Sequence, residues 1–447
     1  MKKIPILFTV VLLISCRFFA QTATAQLQSG PMVGYSDMRE VLLWAQTQKP
    51  AKVKFMFWEQ GNGTKKMSSD EVNTDKKTAF VARITVDGLY PGKKYDYEVW
   101  IDNKKVSVAY PLTFQTQALW QYRTDPPAFK FAFGSCVYVA DQEFDRPGRS
   151  YGGENEIFTA IAAQKPDFML WGGDNLYLRE VDWNSRSGVL YRNTHTRSLA
   201  EMQPLLGAAH HYAIWDDHDY GPNDCDRGYW GKNWTSEAFR LFWGNPNYAF
   251  AGACTGTFEW ADVQFFLLDD RWFRAPNDDK TAGKDYFGAQ QIQWLLDNLK
   301  TSRAPFKFIV TGGQVINPSA VFENYVTYPD ERTKFLSAIS EAKIPGVVFL
   351  TGDRHHTVVN KLERAGSYPL YDFTISPITS GPGKPVKEEE NNVIVEGTLV
   401  PNKRNFATFD VSGPRTDRSL KVTVFDAKGT EIWNKELKAS ALKEPKQ

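Results

Sequence analysis

Ala213-Ile214-Trp215-Asp216-Asp217-His218-Asp219-Tyr220 is the stretch that decides how this chain is read. Apolar residues run without a break into an Asp-Asp-His-Asp cluster. Two other stretches share the design: Phe168-Met169-Leu170-Trp171-Gly172-Gly173-Asp174 and Val348-Phe349-Leu350-Thr351-Gly352-Asp353-Arg354-His355-His356. A fourth, Phe131-Ala132-Phe133-Gly134-Ser135-Cys136, ends in a thiol. Short apolar runs of this kind read as buried strands, and open α/β folds build their sites where such strands end. Carboxylates, imidazoles and a thiol released at strand ends suggest a metal cluster.

Working outward, apolar strands alternate with helical segments from Phe129 onward. Strands are expected at 129–133, 168–171, 211–215, 263–268, 306–310 and 347–350, and helices at 155–162, 199–206, 289–299 and 331–339. Leu420, Val422 and Val424 alternate before the turn Asp426-Ala427-Lys428-Gly429, which predicts a hairpin. Residues 28–118 have another texture. Val41–Trp44 and Val53–Trp58 are strand-like, and Tyr95, Tyr97, Val99 and Ile101 alternate with polar neighbours. That pattern resembles a fibronectin-type β-sandwich. The expected division is a sandwich at 26–118, a linker at 119–128, an α/β domain at 129–437 and a frayed tail at 438–447, with Lys387–Asn391 as a solvated loop.

Met1-Lys2-Lys3 is a basic start, Ile4–Ile14 is an apolar run too short to span a bilayer, and Ala23-Thr24-Ala25 is a small-x-small cleavage site. Residues 1–25 therefore read as a signal peptide, and the protein as exported, periplasmic or extracellular. Leu13-Ile14-Ser15-Cys16 offers an alternative, lipid attachment at Cys16, but Arg17-Phe18-Phe19 is a poor start to a soluble tether. No later stretch is apolar enough to cross a membrane. Net charge is +1 and becomes −2 once Lys2, Lys3 and Arg17 are removed. With basic residues scattered, nothing calls for nucleic acid. An aromatic content of 14% fits large cores and a lined pocket rather than disorder. In an oxidising compartment a bridge between Cys225 and Cys254 is expected. That leaves Cys136 as the odd thiol, for which burial is one reason and metal ligation the other.

A two-metal hydrolase needs a shared carboxylate, terminal ligands and a group to protonate the leaving oxygen. Asp174, at a Gly-Gly turn, is the bridging candidate. Asp217 and Asp353 are oxygen ligand candidates, His355 a nitrogen ligand and Cys136 a thiolate. Tyr177 lies three residues after Asp174, one turn away if a helix begins there. His218 directly follows a carboxylate and is placed to reach the leaving group. Arg354, Arg271 and Arg192 are charge-clamp candidates, Asn175 is a phosphate-contact candidate, and Asp216 and Asp219 are read as support. His195, His210, His211 and His356 are read as structural.

These pieces resemble the PhoD family of alkaline phosphatases and phosphodiesterases, within the calcineurin-like metallophosphoesterases. The motifs are Gly134-Ser135-Cys136, Gly173-Asp174-Asn175-Leu176-Tyr177, Trp215-Asp216-Asp217-His218-Asp219, Leu268-Asp269-Asp270-Arg271 and Gly352-Asp353-Arg354-His355. The resemblance implies an α/β β-sandwich flanked by helices, preceded by a small all-β fibronectin-like domain. It implies Cys136 and Tyr177 on Fe3+, a shared Asp174, and one or two Ca2+ on the oxygen-rich half, with Zn2+ or Mn2+ as the alternative. Asp217 stands where relatives carry an asparagine, Asp353 replaces a histidine, His355 matches the final histidine, and Gln314 is a candidate either for support of a ligand or for weak ligation. Asp219 replaces a glutamate, and the tail is β-like where some members close the site with a helix. The implied activity is hydrolysis of phosphomonoesters, phosphodiesters or both by a metal-bound hydroxide, on small-molecule or lipid phosphate esters, by a monomer. The alternatives are a phospholipase D-like diesterase and a non-catalytic binding protein with a degenerate site.

Overall fold

A stack of phenylalanine rings forms the centre of the α/β domain. Phe131 lies parallel to Phe168 (ring centroids 5.0 Å apart) and to Phe409 (4.7 Å), and meets Phe265 and Phe308 edge-on at 5.2 and 5.4 Å. The first three rings belong to one sheet and the last two to another. Offset and edge-to-face packing of this kind adds to the area the rings bury, and it fixes the two sheets face to face. The protein is described here by a computed structural model covering residues 26–445. The expected signal peptide and Cys16 lie outside the described residues.

The first sheet has nine strands in the order Glu431–Lys438, Ser419–Asp426, Asn405–Ser412, Phe129–Gly134, Phe168–Gly172, His210–Ile214, Leu27–Ser36, Val41–Thr47, Val81–Val86. The second has six, in the order Gly256–Trp260, Val263–Leu267, Lys307–Val310, Val347–Thr351, Leu370–Thr374, Val358–Leu362. The central strands of both are parallel. Phe168–Gly172, His210–Ile214 and Val347–Thr351 are buried throughout, which is why they read as continuous apolar runs. Helices flank the sheets, so the expected fold class holds. The expected helices are Ile157–Ala163, Gln203–Ala208 after a short 3-10 turn, Ala289–Thr301 and Pro329–Glu341. Among the described residues no helix is long and apolar enough to cross a membrane.

The N-terminal strands do form a sandwich. Phe55, Phe57, Tyr95 and Tyr97 on Lys52–Glu59 and Lys94–Ile101 pack against Leu43, Ala45, Ala82 and Ile84 of the facing strands. The sandwich is not a detached module, however. Leu27–Ser36 pairs in parallel with His210–Ile214, so three of its strands continue the larger sheet. The alternation along Val41–Thr47 sends Leu43 and Ala45 into the sandwich core and Trp44 into the main core, where its indole N–H donates to the Leu241 carbonyl (3.0 Å). The chain end also differs from expectation. Ala439 and Leu442 are buried on a short 3-10 turn after the last strand, so residues 439–442 are packed rather than frayed.

His210 locks the junction. One ring nitrogen lies 2.8 Å from the Gly34 carbonyl, and the other accepts from the Gln115 N–H at 3.1 Å. Burial pushes its pKa down to about 4, so the folded protein holds it neutral. A histidine depressed below its unfolded value of about 6.5 stabilises fully above that pH, and the stabilisation is lost as pH falls toward the folded value. Thermal stability is therefore expected to drop between about pH 6.5 and pH 4, and His210→Gln, which keeps a donor and an acceptor without titrating, to flatten that drop in a melting series.

Candidate metal centre

Ligand candidates leave the carboxyl ends of both sheets and meet above the sandwich. Four of them, Cys136, Asp174, Asp353 and His355, hold left-handed backbone (φ +63, +51, +61 and +53). Such conformations cost roughly 1–3 kcal/mol at a non-glycine residue and persist where surrounding structure imposes them, commonly at functional sites. The imposition is visible at Asp216. A Cβ on Gly173 would lie 2.8 Å from the Asp216 Cβ, and one on Gly312 would strike the Asp216 carboxylate, so both turns must be glycine for the strand ends to close on one point.

Asp174 is the common member of three donor clusters: Cys136–Asp174–His355, Asp174–Asp217–His218 and Asp174–Asp216–Asp353. Its Oδ2 receives the Tyr177 hydroxyl at 3.2 Å and lies 3.6 Å from the Cys136 thiol, while its Oδ1 accepts the His218 backbone N–H at 3.2 Å. No helix begins at Asp174; the loop itself brings Tyr177 back. The Tyr177 hydroxyl also lies 3.0 Å from His355 Nε2. His355 Nδ1 sits 2.8 Å from the Gly381 carbonyl, which accepts a hydrogen bond from that nitrogen and so leaves Nε2 for the cluster. The Tyr177 ring stacks on the His218 imidazole at 4.0 Å between centroids.

The Asp-Asp-His-Asp stretch is a helix start. Asp216 caps the short helix Asp217–Tyr220 by accepting the Asp217 N–H (2.9 Å), and Asp219 reaches back to the Asp216 N–H (3.1 Å) and to the Asn175 N–H (3.0 Å). Asp217 Oδ2 accepts the Asp224 N–H at 2.8 Å. Asp269 and Asp270 hold turns: Asp269 takes the Arg271 and Trp272 N–H groups, and Asp270 those of Gly312 and Gly313.

Two of the three candidate clamps are spent on buried acids. Arg271 is fully buried; its Nε donates to Asp216 Oδ1 (2.7 Å) and its remaining nitrogens to both oxygens of Glu323 (3.0 and 2.8 Å). It orients acids and does not reach a substrate. Arg192 is equally buried, between Asp182 and Asp141. Arg354 is held by Glu389 (2.8 Å), with Nη1 3.8 Å from Asp353 Oδ2. Glu389, expected in a solvated loop, is 1% exposed for that reason. Asn175 donates its amide N–H to the Ile214 carbonyl (2.7 Å), while its amide oxygen is buried without a partner. Gln314 is engaged at both ends, by Thr374 and Asn317, so it is no ligand. Cys225 and Cys254 are free thiols facing the Asp217 and Leu268 carbonyls, and the expected bridge between them is absent.

Sequence reading passed over several contributors. Asp216 keeps Oδ2 without any partner beside Asp174 and Asp353. Ser376 donates to the Cys136 sulfur at 3.1 Å from 240 residues away, and the Tyr151 hydroxyl lies 3.0 Å from His355 Nδ1. Glu323 anchors Arg271. No spacing announces Ser376, Tyr151 or Glu323; the run Asp216-Asp217-His218-Asp219, three acids in four residues, pointed to Asp216 only as support.

The donors fit cations. Asp216 Oδ2, Asp217 Oδ1 and Asp353 Oδ2 are buried without hydrogen-bond partners. Burial, reinforced by Asp217, holds Asp174 well above the ordinary carboxylate range, and burial pushes Asp353 up to about 7 and the Cys136 thiol up to about 12. Uncompensated buried charge of this kind is relieved by a metal ion. The thiol, phenol and imidazole side suits a transition metal, and the carboxylate side a hard cation.

Comparison with known proteins shows similarity to phosphatases. The model of the PhoD-like phosphatase family matches residues 249–414, and that of a domain of unknown function (DUF7800) matches residues 24–119. The first match contains Asp269–Arg271 and Asp353–His355 but not Cys136, Asp174, Tyr177 or Asp217. Alkaline phosphatase D of Bacillus subtilis (strain 168) is 23% identical over 374 residues, 71% of this chain. The aligned part spans 61% of that protein's length. The solved structure of PhoD superposes with a TM-score of 0.74 at 17% identity, covering 92% of each chain, which establishes the shared fold.

Arg271→Met would strand the buried Asp216 carboxylate and leave Glu323 to Arg274 and Asn277. A loss of about 3–5 kcal/mol is expected in denaturant unfolding, as for removal of one partner of a buried ion pair. A loss below 1 kcal/mol would mean that Arg271 does not organise the acids.

Proposed function

Because this chain is PhoD-like, we propose that it is an exported metal-dependent phosphoric ester hydrolase acting on phosphomonoesters, phosphodiesters or both. The observation that carries the reading is the Asp174 carboxylate, shared by three donor clusters and held in left-handed backbone.

On this reading Cys136, Tyr177 and His355, with Asp174, would hold Fe3+, and Asp174, Asp216, Asp217 and Asp353 would hold Ca2+, with Zn2+ or Mn2+ as the alternative. When bound, such cations acidify water and neutralise charge on the phosphoryl oxygens. The chain's own groups do the rest. Asp174 sets the spacing of the two halves. Gly381, through His355 Nδ1, keeps Nε2 directed at the thiol and phenol side. His218 is partly exposed, with its ring against Tyr177 and its Nε2 3.9 Å from Asp217, and it offers an N–H to the departing oxygen. Arg354 supplies charge at the mouth, its guanidinium held by Glu389.

The test is a panel of p-nitrophenyl phosphate, bis-p-nitrophenyl phosphate and phosphatidylcholine, run with metal-analysed protein. Hydrolysis of the first two and a fall of about 10²–10⁴ in kcat for His218→Ala are expected. Turnover of the phospholipid alone would replace the reading with a lipid diesterase, and turnover of none would remove it.

A further inference from the structure

Phe322 has no place in the protein's cores, yet the fold holds it out at the mouth of the candidate centre. Its side chain is 61% exposed, and its backbone is left-handed at φ +49, a conformation unusual for an aromatic residue. The next residue leaves it no freedom to withdraw. Glu323 is buried, with its two oxygens taken by Arg271, Arg274 and Asn277. The Phe322 ring lies against the Arg354 guanidinium, 4.1 Å from the ring centroid. That guanidinium is fixed by Glu389 and stands 3.8 Å from Asp353, a member of the acid cluster. On the neighbouring residue, His355, a second half-exposed ring, Tyr151, stands over the imidazole. Open aromatic surface thus borders consecutive residues of the centre.

From this arrangement we infer that Phe322 is a specificity-determining residue that receives the alcohol half of the ester and selects flat, apolar alcohols, aromatic ones above all, over small polar ones. The inference rests on the phosphoric ester reading above. The ring adjoins the acid cluster through Arg354, whose Nη1 is 3.8 Å from Asp353 Oδ2, so the alcohol of an ester bound there would extend toward it. The stacked guanidinium keeps the ring upright, and its exposed surface is free to pack against a planar group. Apart from its contact with Arg354, the exposed ring buries little in the free protein, and its costly backbone conformation is the kind of strain that a binding role explains.

The experiment compares wild type, Phe322→Ala, Phe322→Gly and Phe322→Tyr for kcat/KM on phenyl phosphate and methyl phosphate. Calorimetric binding of phenylphosphonate and methylphosphonate to the metal-loaded proteins runs in parallel. Glycine suits the backbone at this position, so at least one ring-deleted variant folds. The phenyl-over-methyl ratio is expected to fall about ten-fold in the alanine and glycine variants and to survive in tyrosine, in line with typical stacking energies. An unchanged ratio, or an equal fall in the tyrosine variant, overturns the inference. If wild type hydrolyses neither ester, the phosphoric ester reading fails, and the phosphonate ratio still decides for or against Phe322. Binding of neither phosphonate overturns it as well.

Discussion

The structure depends on the crowding of carboxylates around a buried guanidinium. Asp216, Asp217, Asp270 and Glu323 all lie within 4 Å of Arg271, itself without solvent exposure. Even with Arg274 on Glu323 and Arg354 3.8 Å from Asp353, Arg271 cannot satisfy them together with Asp174 and Asp353. Arg271 settles one oxygen of Asp216 and both of Glu323, and the acids left over face inward with unpartnered oxygens. That residue of negative charge is what makes the strand ends a cation site rather than an ordinary salt-bridge network.

The rest of the fold serves this arrangement. Phenylalanine packing fixes two sheets so that strands from each end above the same point. Glycines at 173 and 312 let those ends touch. Asp269 and Asp270, which in sequence look like further ligands, tie down the turns that bring Arg271 and Gly312 into place. The N-terminal sandwich extends the same sheet, so the strand bearing Ala213 and Ile214 has Leu27–Ser36 as its neighbour on one side.

Much of this was legible in the sequence. Buried parallel strands are apolar throughout, so each site-bearing strand stood out with its ligand candidates at the end. The resemblance carried by Cys136, Tyr177 and the acid stretch anticipated which of them the structure brings together. Other features were hidden for physical reasons. The helix Arg186–Arg197 has no apolar stripe because its buried face includes Arg192, paired with acids, Asn193, bonded to the Val189 carbonyl, and Arg197, stacked on Trp243. The buried arginines misled the reading in the same way. Composition marks an arginine near acids as available for a substrate, but whether it is already spent depends on partners such as Glu323 and Glu389, far away in sequence. Asp216 was read as support because one of its oxygens does support; the other is free only in three dimensions. The sheet shared between the two domains also escaped notice, since one residue pair joins Leu27–Ser36 to His210–Ile214.

The most direct test of the claim that this acid cluster is built for cations is the thermal stability of chelated protein titrated with Ca2+, Mn2+ or Zn2+, beside Asp174→Asn. A ligand that binds only the folded state stabilises it by about 2.7 kcal/mol at a hundred times its dissociation constant. The account predicts a melting temperature that rises with cation concentration and saturates in the wild type, with the rise lost in Asp174→Asn. A wild-type melting temperature indifferent to all three cations, or a rise of equal size in Asp174→Asn, would contradict it.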